Sequence, residues 1–153
     1  MKYIKTYEKN NDINWSLIMA VEFDNKVSKV KNLIDSGADI NFKDIDNENR
    51  TPLFHAINRG RYEIIDYLIE NGADINYQDD DGMTPLMVAG SELNSFEVIQ
   101  KLINSGADWF LTDNNGDYFI EHTFTDYQDM IEMDYPEKWK EYLMRIDAKT
   151  YNI

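Results

Sequence analysis

Thr51-Pro52-Leu53 recurs as Thr84-Pro85-Leu86 at a distance of 33 residues, and Ala56 recurs as Ala89 at the same distance. A second mark keeps nearly the same step: Gly37-Ala38-Asp39 returns as Gly72-Ala73-Asp74 and again as Gly106-Ala107-Asp108. A period of this length restricts the chain to a stack of supersecondary units, because each unit can bury its apolar face only against its neighbours. The chain can therefore be read one unit at a time.

In the most regular unit, Pro52 suits a first helical turn, where its missing N–H costs nothing, and Thr51 before it is placed to cap the free amides. Gly60 suits a tight turn into a second helix with Tyr62, Ile65, Leu68 and Ile69 as its buried stripe. Gly72 is placed to end that helix in the left-handed conformation. The next unit repeats the stripe as Phe96, Ile99, Leu102 and Ile103, and the preceding one has Val27, Val30, Leu33 and Ile34. That first unit opens on Trp15-Ser16-Leu17 instead of Thr-Pro-Leu, as an end unit with a single neighbour should. The loop 43–48 is two residues longer than its successor, which predicts an extended hairpin tip. Asn49 stands where the next unit has Gly82, a position for positive φ.

These residues resemble the ankyrin repeat, with Thr-Pro-Leu opening the first helix and Gly-Ala-Asp-Ile-Asn closing the second. The resemblance implies an all-α repeat, an α-solenoid of paired antiparallel helices joined by β-hairpin loops and closed by capping units at both ends. One domain is expected over 1–153: a leader at 1–12, a capping repeat at 13–45, repeats at 46–78 and 79–112, and a degenerate repeat with a helical cap at 113–153. The family places His fourth in its Thr-Pro-Leu-His motif. Here that position holds Phe54 and Met87, so an apolar contact between units is expected.

Composition narrows the function. The chain has 29 acidic and 15 basic side chains, a formal net charge of −14. That sign opposes nucleic acid, whose binding rests on neutralising phosphates, and favours a basic protein partner. No run approaches the roughly 18 apolar residues of a membrane span. Residues 1–7 lack the apolar core of a signal peptide, and the absence of cysteine removes disulfides and thiolate metal sites. A cytoplasmic monomer is the expectation.

No catalytic set forms. The two histidines, His55 and His122, fall in different units and are read as helix-face residues without catalytic duty. Counted as an EF-hand, the loop from Asp44 puts Asn49 sixth and His55 twelfth, and the loop from Asp79 puts Thr84 and Gly90 there. Calcium needs Gly and Glu at those places, so no metal is expected, and no cofactor. Asp46, Asp79 and Asp113 are instead read as the first residues of hairpin turns, where a carboxylate bonds nearby amides.

What remains is surface. The resemblance implies that hairpin tips and the exposed parts of the first helices line a concave binding face. Carried over residue by residue, this face comprises Asn47, Glu48, Arg50, Asn58 and Arg59 in one unit. Asp80, Asp81, Met83, Ser91 and Glu92 follow in the next, and Asn114, Asn115 and Asp117 in the last, with Gln78 and Thr112 just before the tips. Trp109, Phe110 and Tyr118 are open to two readings, core filling against the cap or an aromatic anchor for a partner. Overall the expectation is a non-enzymatic protein-binding module, as an immunity or antitoxin-type inhibitor. The alternative is a scaffold or effector that docks without inhibiting.

Overall fold

The computed structural model of this chain describes residues 12–92 and 95–151. The expected leader, apart from Asp12, and Leu93-Asn94 of one turn lie outside the described residues. Helix α1 spans Ile13–Met19 and runs into a π-helical turn, Ala20–Asp24. The remaining helices are α2 (Val27–Asp35), α3 (Pro52–Asn58), α4 (Tyr62–Glu70), α5 (Pro85–Ser91) and α6 (Phe96–Asn104). A 3-10 turn, Phe119–His122, then leads to α7 (Thr125–Asp134) and α8 (Pro136–Tyr151). Among the described residues there is no strand; Asp44 with Arg50, and Thr112 with Tyr118, form isolated β-bridges. This is an all-α repeat.

Helices α1, α3, α5 and the 3-10 turn stack as one layer, with α2, α4, α6 and α7 behind them. Helices of seven residues are marginal alone, so their stability comes from packing. The sequence supplies it: Pro52 to Ile57 and Pro85 to Gly90 are buried without interruption. Phe54, fully buried where the family motif has histidine, packs edge-on against Tyr77 of the same 46–78 unit at 6.2 Å. Gly90 brings the 3-10 turn close, for a Cβ there would lie 2.6 Å from Thr123 Oγ1 and 3.2 Å from the Phe119 ring.

The Gly-Ala-Asp-Ile-Asn ending forms a polar rail along the stack. Asn41 Oδ1 accepts from the Asp74 amide at 2.8 Å, and Asn76 Oδ1 from the Asp108 amide at 2.8 Å. Asn14 begins the series by accepting from the Asp39 amide at 2.7 Å. Each aspartate in turn bonds the amide two residues on, Asp74 Oδ1 to Asn76 at 3.0 Å and Asp108 Oδ1 to Phe110 at 2.8 Å. Phe110 has no side-chain carbonyl to accept a further amide, so the rail ends there.

An aromatic seam takes over. Trp109, 1% exposed, meets Phe119 at 5.7 Å and Tyr135 at 5.8 Å, both edge-on. The Arg145 guanidinium of α8 sits 3.8 Å above the Phe110 ring, and Tyr142 lies edge-on to Tyr118 at 6.2 Å. Burial, reinforced by the Glu121 carboxylate, pushes the Tyr142 phenol up to about 12. Trp109 therefore fills the core, and the anchor reading fails for it.

Three expectations need correction. Tyr62 is 45% exposed, and Ile64 is buried in its place. The buried face of α4 is centred on Ile64, Ile65 and Leu68, about 110° around the helix from Tyr62 at 3.6 residues per turn. The Thr51 hydroxyl caps nothing and has no hydrogen-bond partner among the described residues, whereas Thr84 Oγ1 accepts from the Met87 amide at 3.2 Å. Backbone angles at the two threonines are alike (φ −87°, ψ 167° and φ −96°, ψ 161°), so the conformation of the cap residue's backbone does not account for the difference. The first hairpin opens on Asp44, not Asp46: its amide donates to Arg50 O at 2.9 Å, as Asp79 does to Met83 O at 3.0 Å. The two extra residues sit inside the tip, which moves its start back by two.

Candidate functional site

Each hairpin is built around its first aspartate. Asp44 Oδ1 accepts from the Asp46 amide at 3.1 Å. Asp79 Oδ1 accepts from Asp81 and Met83 at 3.0 and 2.9 Å, and Asp113 Oδ1 from Asn115 and Asp117 at 2.8 and 2.9 Å. All three carboxylates are buried, and a buried charge needs a partner. The second oxygen provides the contact: Asp44 Oδ2 lies 3.3 Å from His55 Nε2, Asp79 Oδ2 accepts from Arg50 Nε at 2.9 Å, and Asp113 Oδ2 lies 3.2 Å from His122 Nε2. The two histidine contacts are at ion-pair range but out of hydrogen-bond alignment.

His55 and His122 thus hold one register, on the first helical segment behind a hairpin. The unit between them has Val88 there, and Arg50 of the preceding hairpin reaches the aspartate instead. Sequence reasoning missed these pairs. The signal was present: nine residues separate Asp113 from His122 and eleven separate Asp44 from His55, the difference being the two-residue insertion. His55, 2% exposed, also joins units, with Nδ1 3.2 Å from Glu22 Oε1 in the π-helical turn. Arg59 Nη2 reaches the same oxygen at 3.3 Å, and Arg61 Nη2 donates to the Glu22 carbonyl at 2.9 Å.

Burial would raise the Asp113 carboxyl, but it is outweighed. The Asp117 and Asn115 amides, the Asn115 side chain and the His122 charge hold it below its ordinary value.

The tips are also bonded to each other. The Asp80 amide donates to Glu48 O at 3.0 Å, and the Asn114 amide to Asp81 O at 3.0 Å. Asn49 Nδ2 donates to both Asp80 carboxylate oxygens at 2.9 and 3.0 Å, and Asn114 Nδ2 to Asp80 O at 2.8 Å. Gln78 Nε2 bridges Gly82 O and Thr112 O at 2.7 and 2.8 Å. Gly82, at φ 77°, admits this approach, for a Cβ there would stand 2.8 Å from the Asn114 nitrogen. Asn47, Glu48, Arg50, Asp80, Asp81, Met83, Asn114, Asn115 and Asp117 therefore share one edge. Glu48, Asp80, Asp81, Asn114 and Asn115 are exposed on it; the other four are half-buried.

Asn58, Arg59 and Glu92 are not brought there. They lie at or just past the far ends of α3 and α5, about 10 Å away along a seven-residue helix. Two exposed apolar side chains stand beside these groups and escaped the sequence reading. Ile45, 71% exposed, is in the first tip, and Phe23 lies 5.9 Å from the Arg59 guanidinium. An isolated apolar residue in a hairpin tip or a single π-helical turn gives no periodic signal that could have marked either.

Among the described residues no three His, Asp or Glu side chains are grouped to hold a metal ion, and no helix is long and apolar enough to cross a membrane. A stack of helix pairs with bonded hairpin tips defines an all-α helical repeat protein. The chain belongs to the ankyrin-repeat family: the family model for ankyrin repeats in three copies matches residues 17–113. Ankyrin repeats are generally protein–protein interaction modules. A search of the curated proteins found no match to this chain.

Proposed function

We propose that this chain is a non-enzymatic, cytoplasmic, monomeric binding module that captures a basic protein partner and inhibits it, in the manner of an immunity or antitoxin protein. One observation carries the reading: three hairpin tips, bonded into a single edge, present Glu48, Asp80 and Asp81 to solvent in a chain of net charge −14. Tips already tied together lose little freedom on binding, which lowers the cost of association. Their acidic sign speeds encounter with a basic surface. Asn58, Arg59 and Glu92 would extend the contact to the helix ends. In the same reading, 13–45 and 113–153 close a stack whose repeats are 46–78 and 79–112.

Capture from the source lysate by the wild-type chain and by Asp80→Lys with Asp81→Lys tests the surface. A basic protein retained by the wild type alone is expected, identified by mass spectrometry; equal retention by the variant would overturn the acidic edge. Activity of the captured protein, assayed with and without the wild-type chain, then separates inhibition from docking alone.

A further inference from the structure

Helix α7 faces inward through Tyr127, whose ring lies 5.7 Å from Phe96, and through fully buried Ile131. Gln128 fixes that orientation by donating to the carbonyls of Ile120 and Thr123 at 3.0 and 2.9 Å. The helical period then sets the opposite face: Asp126, Asp129, Met130 and Met133 stand at i, i+3, i+4 and i+7 on one stripe. Met130 is 43% exposed and Met133 81%. The helix carries four carboxylates, with Glu132 and Asp134 completing the set, and no Lys, Arg or His. Among the described residues no ion pair reaches any of them; Asp134 accepts from Gln100 Nε2 at 2.8 Å. Helix α8 differs, since its Lys140 and Arg145 pair with Glu137 and Glu141 at 2.9 Å each. It neutralises itself; α7 does not.

We propose that the outward face of α7 docks a basic amphipathic helix of a partner protein, with its aliphatic side chains on Met130 and Met133 and its Lys or Arg residues facing Asp126 and Asp129. Ridges at this spacing accept a second helix, and thioether side chains adapt to varied aliphatic partners. The carboxylates fix the sign of the partner's charge and oppose an anionic lipid surface. This stripe lies in the second layer, apart from the hairpin tips, and the inference stands independently of the function proposed above.

A fluorescein-labelled synthetic helix of leucine and lysine, with leucines at i, i+3, i+4 and i+7, reads binding by anisotropy. The chain should bind it about tenfold more tightly than a peptide of equal composition whose leucines are spread around the helix. Met130→Ser with Met133→Ser should weaken binding about tenfold, a loss confined to desolvated contacts. Asp126→Asn with Asp129→Asn should weaken it and flatten its salt dependence, while the charge-matched Asp35→Asn with Glu63→Gln should not. Circular dichroism confirms that the variants, all at exposed positions, remain folded. No binding, equal binding of the scrambled peptide, or undiminished binding by the double-serine variant overturns the proposal.

Discussion

The chain joins its units in two different ways. At the junctions marked by Asn41 and Asn76, a side-chain carbonyl accepts one backbone amide of the next unit, each time at 2.8 Å. At the junction marked by Phe110 the rail bond is missing and aromatic packing takes its place: Trp109, Tyr118, Tyr142 and Arg145 gather against the 3-10 turn and the terminal helices. A rail bond gives the same modest gain at every step and keeps units in register. The aromatic seam holds a fully buried indole, and aromatic side chains carry large apolar surfaces, so closing the stack should matter more to stability than any one internal step.

Trp109→Ala puts most strain on that contrast. Loss of a fully buried indole should cost about 3–5 kcal/mol in urea denaturation. A cost near that of a single rail bond would mean the seam is not the dominant closure.

Asp113→Asn should cost about 2 kcal/mol at pH 7, the range for hydrogen bonds to a charged group. The folded carboxyl sits below its unfolded value, so its stabilisation is full above about pH 4 and is lost as pH falls through the folded pKa. The gap between variant and wild type should therefore close on acidification; a gap constant with pH would show that charge is irrelevant there.

Asn76→Ala should cost about 1 kcal/mol, one net hydrogen bond. Phe110→Asn sharpens the comparison by writing the rail residue into the seam. With no aspartate amide following to use it, the change should lose about 1 kcal/mol of stacking under Arg145. A gain in stability from Phe110→Asn would contradict the division between rail and seam.

The smallest effect separates two equivalent threonines. Thr84→Val should cost about 1 kcal/mol as a lost cap, while Thr51→Val should fall within about 0.5 kcal/mol of wild type. Thermal denaturation of the pair decides it.

What could be read from the residues follows the same line. The repeat, the helix pairs and the positive φ of Asn49 and Gly72 were legible, because spacing and local backbone need encode them. The centre of the α4 face was missed, because Tyr62 satisfies the period as well as Ile64 does and only the neighbouring unit distinguishes them. The place of the two-residue insertion, within the tip instead of before it, depends on which carbonyl the Asp44 amide finds. Of the candidate surface, the tip positions were legible as positions. Their mutual bonds, and the reach of Arg50 to Asp79, were not, because each joins residues of different units; the contacts of His55 with Asp44 and of His122 with Asp113 left only a short spacing that no known motif marks.

The rail has a consequence for how chains of this kind can lengthen or shorten. Each Asn faces forward and each Asp amide faces back, so the coupling is directional, like carriages with unlike ends. A duplicated or deleted segment can be absorbed only if it is a whole period inserted head to tail, so that every Asn still meets an Asp. A partial one leaves an unmatched coupling on both sides of the break. Recombination within such a gene is thereby filtered to whole units, and a unit inserted at Phe110 would find no Asn there to couple to.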